Sequence, residues 1–354
     1  GAAPRATQAL AVDPPVRKEY KTFEPYRKGE YTVFFGDLHR HSNVSRCSRG
    51  AEPDPDDHYR YSRDVCRYDF LGISDHAAHT SDYNWWRLQK LADLYYVPGD
   101  FTTLFGVEWN GPEGHKNAMS PSRHLPLLAT TGVAPNALAL WDELAKSGVP
   151  AITIPHSSSL PGQDADWSKH DPRFERLVEI FQACRGSFEG KGAPRQFPDA
   201  TLDGQHVQDA LAKGYRLGII CSTDHGYGAS YACVYARENT RAAVFDALQD
   251  RRTYGATAYG IIVDFNVNGV MMGRDVKRSD GNVIVSGYVR GNGKLDRVQI
   301  LRDNEVVHEW TPSGDEQKLD WRDPNPGTGL HWYYLRVIQE DDEMAWSSPV
   351  WVVD

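Results

Sequence analysis

Short apolar runs recur along the chain as far as residue 225, and each breaks off at a side chain able to ligate a metal. Val33-Phe34-Phe35 leads into Asp37-Leu38-His39-Arg40-His41, and Phe70-Leu71-Gly72-Ile73 into Asp75-His76. Leu104-Phe105-Gly106-Val107 leads into Glu108, and Ala151-Ile152-Thr153-Ile154 into His156. Leu177-Val178-Glu179-Ile180-Phe181 precedes Cys184, and Leu217-Gly218-Ile219-Ile220 precedes Asp224-His225. Continuous runs of this length, rich in β-branched and aromatic residues, predict strands buried on both faces. Ligand-type residues following the strand ends predict a parallel barrel with its site at the carboxyl face.

Helical patterns alternate with these runs, so the fold class is α/β. In Asn136–Gly148 the residues Leu138, Trp141, Leu144 and Ala145 share one face, and Gly148 is a natural terminator. This helix feeds directly into the run ending at His156. Val207–Ala212 and Thr240–Asp250 are expected to form further helices. After about residue 260 the pattern changes to short alternating segments: Ile261–Val267, Asn282–Val289, Leu295–Arg302, Val306–Trp310, His331–Gln339 and Ala345–Val353. They predict a β-sandwich of roughly 90 residues, with Asp303-Asn304 as a tight hairpin turn. Pro4, Pro14, Pro15 and Pro25 make the start an extended arm. The expected division is an arm over 1–30, a chemistry-bearing barrel over 31–259 and a supporting or binding sandwich over 260–354.

Bulk composition narrows the function. The 354 residues leave room for a barrel of roughly 230 and a smaller domain. No stretch approaches the roughly 18 apolar residues of a membrane span. A net charge of -9 gives no basic footprint, which disfavours a nucleic-acid partner. Ten Trp serve core packing or a sugar-stacking surface. Five Cys leave at least one thiol unpaired or bound to something, and Cys184, Cys221 and Cys233 are expected to be buried and inert. The start Gly1-Ala2-Ala3-Pro4 reads equally as the stub of a cleaved signal or an expression scar. The compartment stays open, leaning extracytoplasmic (periplasmic or secreted), and the oligomeric state stays open too.

His39 and His41, two apart at a strand end, point to one face, and Asp37 on that face could accept a hydrogen bond from an imidazole. A carboxylate such as Glu108 at a buried strand end is costly unless cations surround it. It suits either a bridge between two metals or a salt bridge with an Arg. His115, beyond Gly111 and Gly114, sits in a loop able to fold back over the site. The dipeptides Asp75-His76 and Asp224-His225 repeat one ligand pair at two strand ends.

Asp-Leu-His-x-His-Ser at 37–42, Asp-His at 75–76, Glu108, Pro-His at 155–156 and Asp-His at 224–225 resemble the PHP superfamily of metal-dependent phosphoesterases. The chain is further similar to a branch that appends a β-sandwich. The resemblance implies a distorted (β/α)7-type barrel holding two or three divalent ions (Zn, Mn or Fe). It implies one metal on His39, His41, Glu108 and Asp224, and a second on Glu108, His115 and His156. A third would use His76, His225 and the position eight after His39, which is Cys47 here. Cys47 as a thiolate ligand would favour Zn or Fe; it could instead pair with Cys66, or be a plain thiol beside two metals. His58 and His79 are substitutes near it.

Two ions sharing Glu108 would activate a bridging water as an in-line nucleophile, and open metal positions would hold phosphoryl oxygens. Asp75 or a neighbouring His would protonate the leaving group. Arg40, Arg46, Lys116 and Arg185 are candidates to clamp an anionic substrate, small or glycan-linked, as are Arg49 and Arg123, with Trp109 beside them. A different enzyme class is a lyase or hydrolase of an acidic saccharide, with Trp85, Trp86, Trp109 or Trp167 stacked on sugar rings. A non-catalytic carbohydrate-binding module with a structural metal is the third reading.

Overall fold

A computed structural model of the protein describes residues 24–47, 52–278 and 281–354. Most of the expected arm, residues 1–23, lies outside the described residues, as does Arg49. Where description begins, Arg27–Lys28 pairs with the strand Tyr31–Asp37, and the Tyr26 hydroxyl donates to Asp264 at 3.0 Å.

The apolar runs are strands: Tyr31–Asp37, Phe70–Ile73, Thr102–Trp109, Ile152–Pro155, Leu177–Gln182 and Gly218–Ser222. Tyr31–Asp37, Phe70–Ile73 and Thr102–Trp109 pair in parallel in that order, as do Leu177–Gln182 and Gly218–Ser222. The sheet is nonetheless mixed, where a parallel one was expected. Lys116–Ser120 is antiparallel to both Thr102–Trp109 and Ile152–Pro155, and Tyr231–Ala236 is antiparallel to Tyr31–Asp37. The chain between Trp109 and Lys116 is too short for a crossover, so it returns as a hairpin. Isolated parallel bridges extend the pairing past the ladders: Thr153 with Glu175, Arg40 with Asp224, and His76 with Glu108. The last two lace the strand ends together where the ligand-type residues stand.

Helices cover the outside. Ala137–Ser147 runs from an Asn136 cap, whose side chain accepts from Ala139 N, to Gly148 at φ 64°. Leu140, Trp141 and Leu144 are its buried face, while Leu138 is exposed. Val207–Ala212 and Arg241–Gln249 also form as expected. Pro55–Asp64 and Asp82–Tyr95 are two helices the apolar pattern did not mark. Asp82–Tyr95 buries only Leu88 and Ala92, so its stripe is too narrow to read from sequence. None of the helices is long and apolar enough to cross a membrane, among the described residues.

The tail is all strand, and it includes Glu316–Arg322, which the sequence pattern did not mark. Its charged residues alternate around the buried Leu319 alone. One tail sheet holds Val270–Met271, Ile262–Val267, Ile284–Arg290 and Glu316–Arg322 in that order. The other strands join the sheet of the preceding region, because Thr253–Ala256 pairs with Met344–Ser347 through Tyr254↔Ser347 and Ala256↔Ala345. Val263, Phe265, Val285, Val298, Leu335 and Val337 from both sheets share one buried cluster. Asp303 and Asn304 turn the expected hairpin at φ 53° and 74°. The fold is therefore mixed α/β, rich in strands and poor in helices, with a ladder running across residue 259.

Candidate metal centre

Strand ends bring Glu108, His39, His41, His156 and Asp224 to one place, none more than 2% exposed. Glu108 divides its oxygens between two sets of imidazoles. Oε1 lies 2.9 Å from His115 Nδ1 and 3.3 Å from His156 Nε2. Oε2 lies 3.0 Å from His41 Nε2 and 3.1 Å from His76 Nε2, with His39 Nε2 at 3.7 Å. Asp224 Oδ1 lies 3.3 Å from His39 Nε2 and 3.1 Å from both His41 Nε2 and His225 Nε2. The groups spaced closely enough to share an ion are His39/His41/Asp224, Glu108/His115/His156, His41/Cys47/His76 and His39/His156/Glu179. The salt bridge between Glu108 and an Arg is not what the geometry shows.

Outer contacts aim these donors. His39 Nδ1 donates to Glu179 at 3.1 Å, which turns its Nε2 towards Glu108 and Asp224. His41 Nδ1 donates to Ser45 Oγ at 2.9 Å, which donates in turn to Asp75 Oδ1 at 2.6 Å. Carboxylate-backed imidazoles of this kind are the usual support of metal ligands. Asp224 holds φ 65° and Ser157, after His156, φ 51°, strain that the surrounding structure sustains at functional sites. Gly114, at φ 90°, has Ala165 Cα and Asp164 O within 2.7 Å of where a Cβ would stand, so only glycine lets the His115 loop lie this close.

Charge and burial are in tension here. Burial opposes protonation of His41, yet the Glu108 carboxylate raises its pKa to about 9. Burial, reinforced by the His39 charge, lowers His156 to about 3, so its ring is neutral. Burial works against the Glu108 anion, but the surrounding imidazoles hold its pKa well below the usual carboxylate range. The donor set fits divalent cations: Glu108 Oε2, Asp224 Oδ1 and His156 Nε2 are all buried without a hydrogen-bond partner. Inward-facing polar atoms left unpaired at such a cost call for a partner of opposite charge.

The remaining expected residues divide by position. Cys47 is exposed, with Sγ 3.8 Å from His225 Nδ1, and it and Cys66 are separate free thiols. Arg185 is half-buried at the rim, paired with Asp224 Oδ2 and donating to Gln182 Oε1 at 2.8 Å. Arg46 is exposed beside Cys47 at φ 58°. Others stand behind the centre. Arg40 is fully buried and committed to Asp37, Tyr68 and the Gly226 and Gly228 carbonyls. Lys116 is buried against Glu175 at 3.2 Å. Trp109 packs in the core and donates to Ala134 O at 2.6 Å, and Trp167 is buried too, so neither ring is open to a sugar. Asp75 spends both oxygens on Ser42 and Ser45, which shapes the 42–45 turn. Asp37 accepts from the backbone N of His39 and from Thr223 N, not from an imidazole. His58 and His79 bond the carbonyls of His41 and Ser45.

Glu179 and Glu52 are the residues sequence reasoning missed. Glu179 is a lone carboxylate inside the apolar run Leu177–Phe181, a signal present but passed over in favour of Cys184, which is exposed rather than buried. Glu52 accepts from His225 Nδ1 at 3.1 Å and from Gly226 N at 3.2 Å. It stands in a Pro- and Asp-rich stretch with no apolar pattern to mark it.

The sequence pattern described as "Protein of unknown function (DUF3604)" matches residues 68–193 and 186–294. The chain belongs to the DUF3604 family. The matched DUF3604 region takes in His76, Glu108, His115, His156, Glu179 and Asp224, while His39 and His41 precede it. This DUF3604 chain is 29% identical over 238 residues to an uncharacterised protein of Chlamydia trachomatis serovar D, covering 57% of this chain and 38% of that protein. It is 26% identical over 347 residues to one of Chlamydia pneumoniae, covering 83% and 53%. The chain thus spans about half or less of the curated relatives' length. Among solved structures, it is similar to a two-domain protein containing a predicted PHP-like metal-dependent phosphoesterase from Bacteroides vulgatus. That likeness has a TM-score of 0.49 at 14% identity, covering 94% of this chain and 99% of that one. PsfC from Pseudomonas syringae matches with a TM-score of 0.41 at 16% identity, covering 62% and 90%.

Proposed function

We propose that the protein is a metal-dependent hydrolase of phosphate esters, a member of the PHP superfamily with the chemistry carried by residues up to about 259. The observation that carries the reading is the group of buried, unpartnered donor atoms on Glu108, Asp224 and His156, ringed by imidazoles. His39, His41, Glu108 and Asp224 would hold one divalent ion (Zn, Mn or Fe), and Glu108, His115 and His156 a second. Cys47, His76 and His225 would complete a third position. When bound, such ions supply Lewis-acid polarisation of phosphoryl oxygens and of a hydrolytic water.

The chain's own residues supply orientation and access. Glu179 and Ser45 fix which imidazole nitrogens face inward. The half-exposed His76, His115, His225 and Arg185 mark the open side, where an anionic substrate enters. Arg185, held by Asp224 and Gln182, would hydrogen-bond a phosphoryl oxygen, and the exposed Arg46 would add charge for an anionic substrate. The strands after 260 would support this region through the ladder between Thr253–Ala256 and Met344–Ser347. The test is hydrolysis of p-nitrophenyl phosphate and its bis-ester by metal-loaded protein, with His39→Ala as the control. Hydrolysis abolished in the variant supports the reading. No hydrolysis by fully metal-loaded protein overturns it.

A further inference from the structure

The loop that leaves the centre is held by hydrogen bonds at each of its backbone positions. After Asp224 and His225 the chain runs Gly226-Tyr227-Gly228, a sequence expected to be floppy. Its backbone is instead tied at consecutive residues. Gly226 N donates to Glu52 at 3.2 Å, and Arg40 Nη1 donates to Gly226 O at 3.2 Å. Tyr61 Oη donates to Tyr227 O at 2.8 Å, and Arg40 Nη2 donates to Gly228 O at 2.8 Å. Gly228 lies so close to Ala183, two residues from Arg185, that an added Cβ would stand 3.2 Å from the Ala183 Cβ.

A fully buried guanidinium is an expensive anchor, and here two of its donors serve one surface loop. What the loop presents is the Tyr227 side chain, 62% exposed, with an edge contact to the Tyr61 ring at 5.7 Å. It stands two residues beyond His225, a partly exposed member of the centre whose Nε2 lies 3.1 Å from Asp224 Oδ1. Rigid backbone beneath an exposed aromatic ring is the arrangement that lowers the entropic cost of binding a flat partner.

We propose that Tyr227 reads the organic part of the substrate: it receives the apolar face of a ring, aryl or glycosyl, carried by the phosphoryl group. This rests on the phosphoester reading, and it sets the substrate class within it. A ring stacked on tyrosine is stabilised beyond simple burial, enough to separate ring-bearing from short-chain ligands severalfold.

Non-hydrolysable phenylphosphonate, cyclohexylphosphonate and methylphosphonate, titrated calorimetrically into the metal-loaded full chain, test this without relying on turnover. The wild type is expected to bind phenylphosphonate at least about fivefold more tightly than methylphosphonate. That preference falls to about one in Tyr227→Ala, whose metal content matches the wild type, and survives in Tyr227→Phe. Cyclohexylphosphonate following phenylphosphonate identifies a ring of either saturation; following methylphosphonate, it restricts the class to aryl esters. Equal binding of all probes by the wild type, or a preference that persists in Tyr227→Ala, overturns the role of Tyr227 alone. Failure of every phosphonate to bind overturns the phosphoester reading and this inference with it.

Discussion

Glu108 is a buried carboxylate whose neighbours are imidazoles and one amide, with no Lys or Arg against it among the described residues. An anion in that position is stabilised only while imidazoles stay protonated or a metal takes the proton's place. Glu179 acts one step out, through His39. Glu179→Ala is expected to weaken metal binding by about 10–100-fold with the fold intact, read by chelator competition alongside circular dichroism. Glu179→Gln, which keeps an acceptor for Nδ1, should retain most of the affinity. At this scale the sequence was legible where a ligand-type residue ends an apolar run, as at His39, Glu108 and His156. It was not legible where the run continues past the residue, as at Glu179. Nor could it separate a side chain that faces the centre from one that supports it from behind, as at Asp75, Lys116 and Trp109.

Elements were read from apolar continuity, which marks a buried strand but not its direction. The Lys116–Ser120 return was hidden because its residues are as buried as those of a parallel neighbour. Helix Asp82–Tyr95 was hidden for the opposite reason, since most of its surface faces water. The junction between Tyr31–Asp37 and Phe70–Ile73 carries a pH-sensitive group. Asp69 accepts from Phe35 N at 2.8 Å, and burial raises its pKa to about 7 despite that bond. A carboxyl with a raised folded-state pKa binds its proton more tightly in the native state. Its stabilising contribution is therefore full below about pH 4 and is lost as pH rises from about 4 to 7. Asp69→Asn keeps the acceptor and removes the charge. It should raise stability at pH 8 by about 1–2 kcal/mol and change little at pH 4, read from urea midpoints at both values.

At the scale of the whole molecule, the two regions anticipated on either side of residue 259 share a ladder and a buried polar network. Glu189 accepts from Tyr334 Oη at 2.7 Å, Arg336 Nη1 at 3.0 Å and Trp346 Nε1 at 2.9 Å. Glu189→Ala strands a buried guanidinium and is expected to cost about 3–5 kcal/mol in denaturant unfolding, while leaving metal content unchanged. Metal loading should act in the other direction. With free metal at about 100 times its Kd, linkage contributes about 2.7 kcal/mol, a rise of several degrees in Tm that chelation reverses. The switch from helix-and-strand to all-strand pattern near residue 260 was plain in the sequence. The continuous sheet across it was not, because ladder partners such as Tyr254 and Ser347 are distant in the chain and ordinary in type.

The central claim is that Glu108 is shared between divalent ions. Its most direct test is the metal stoichiometry of the wild type and Glu108→Gln, measured by elemental analysis after equilibration with Zn, Mn or Fe and removal of loose metal. The account predicts two or three ions per wild-type chain and no more than one in the variant. One ion or none in the wild type, or equal loading of both proteins, would contradict it.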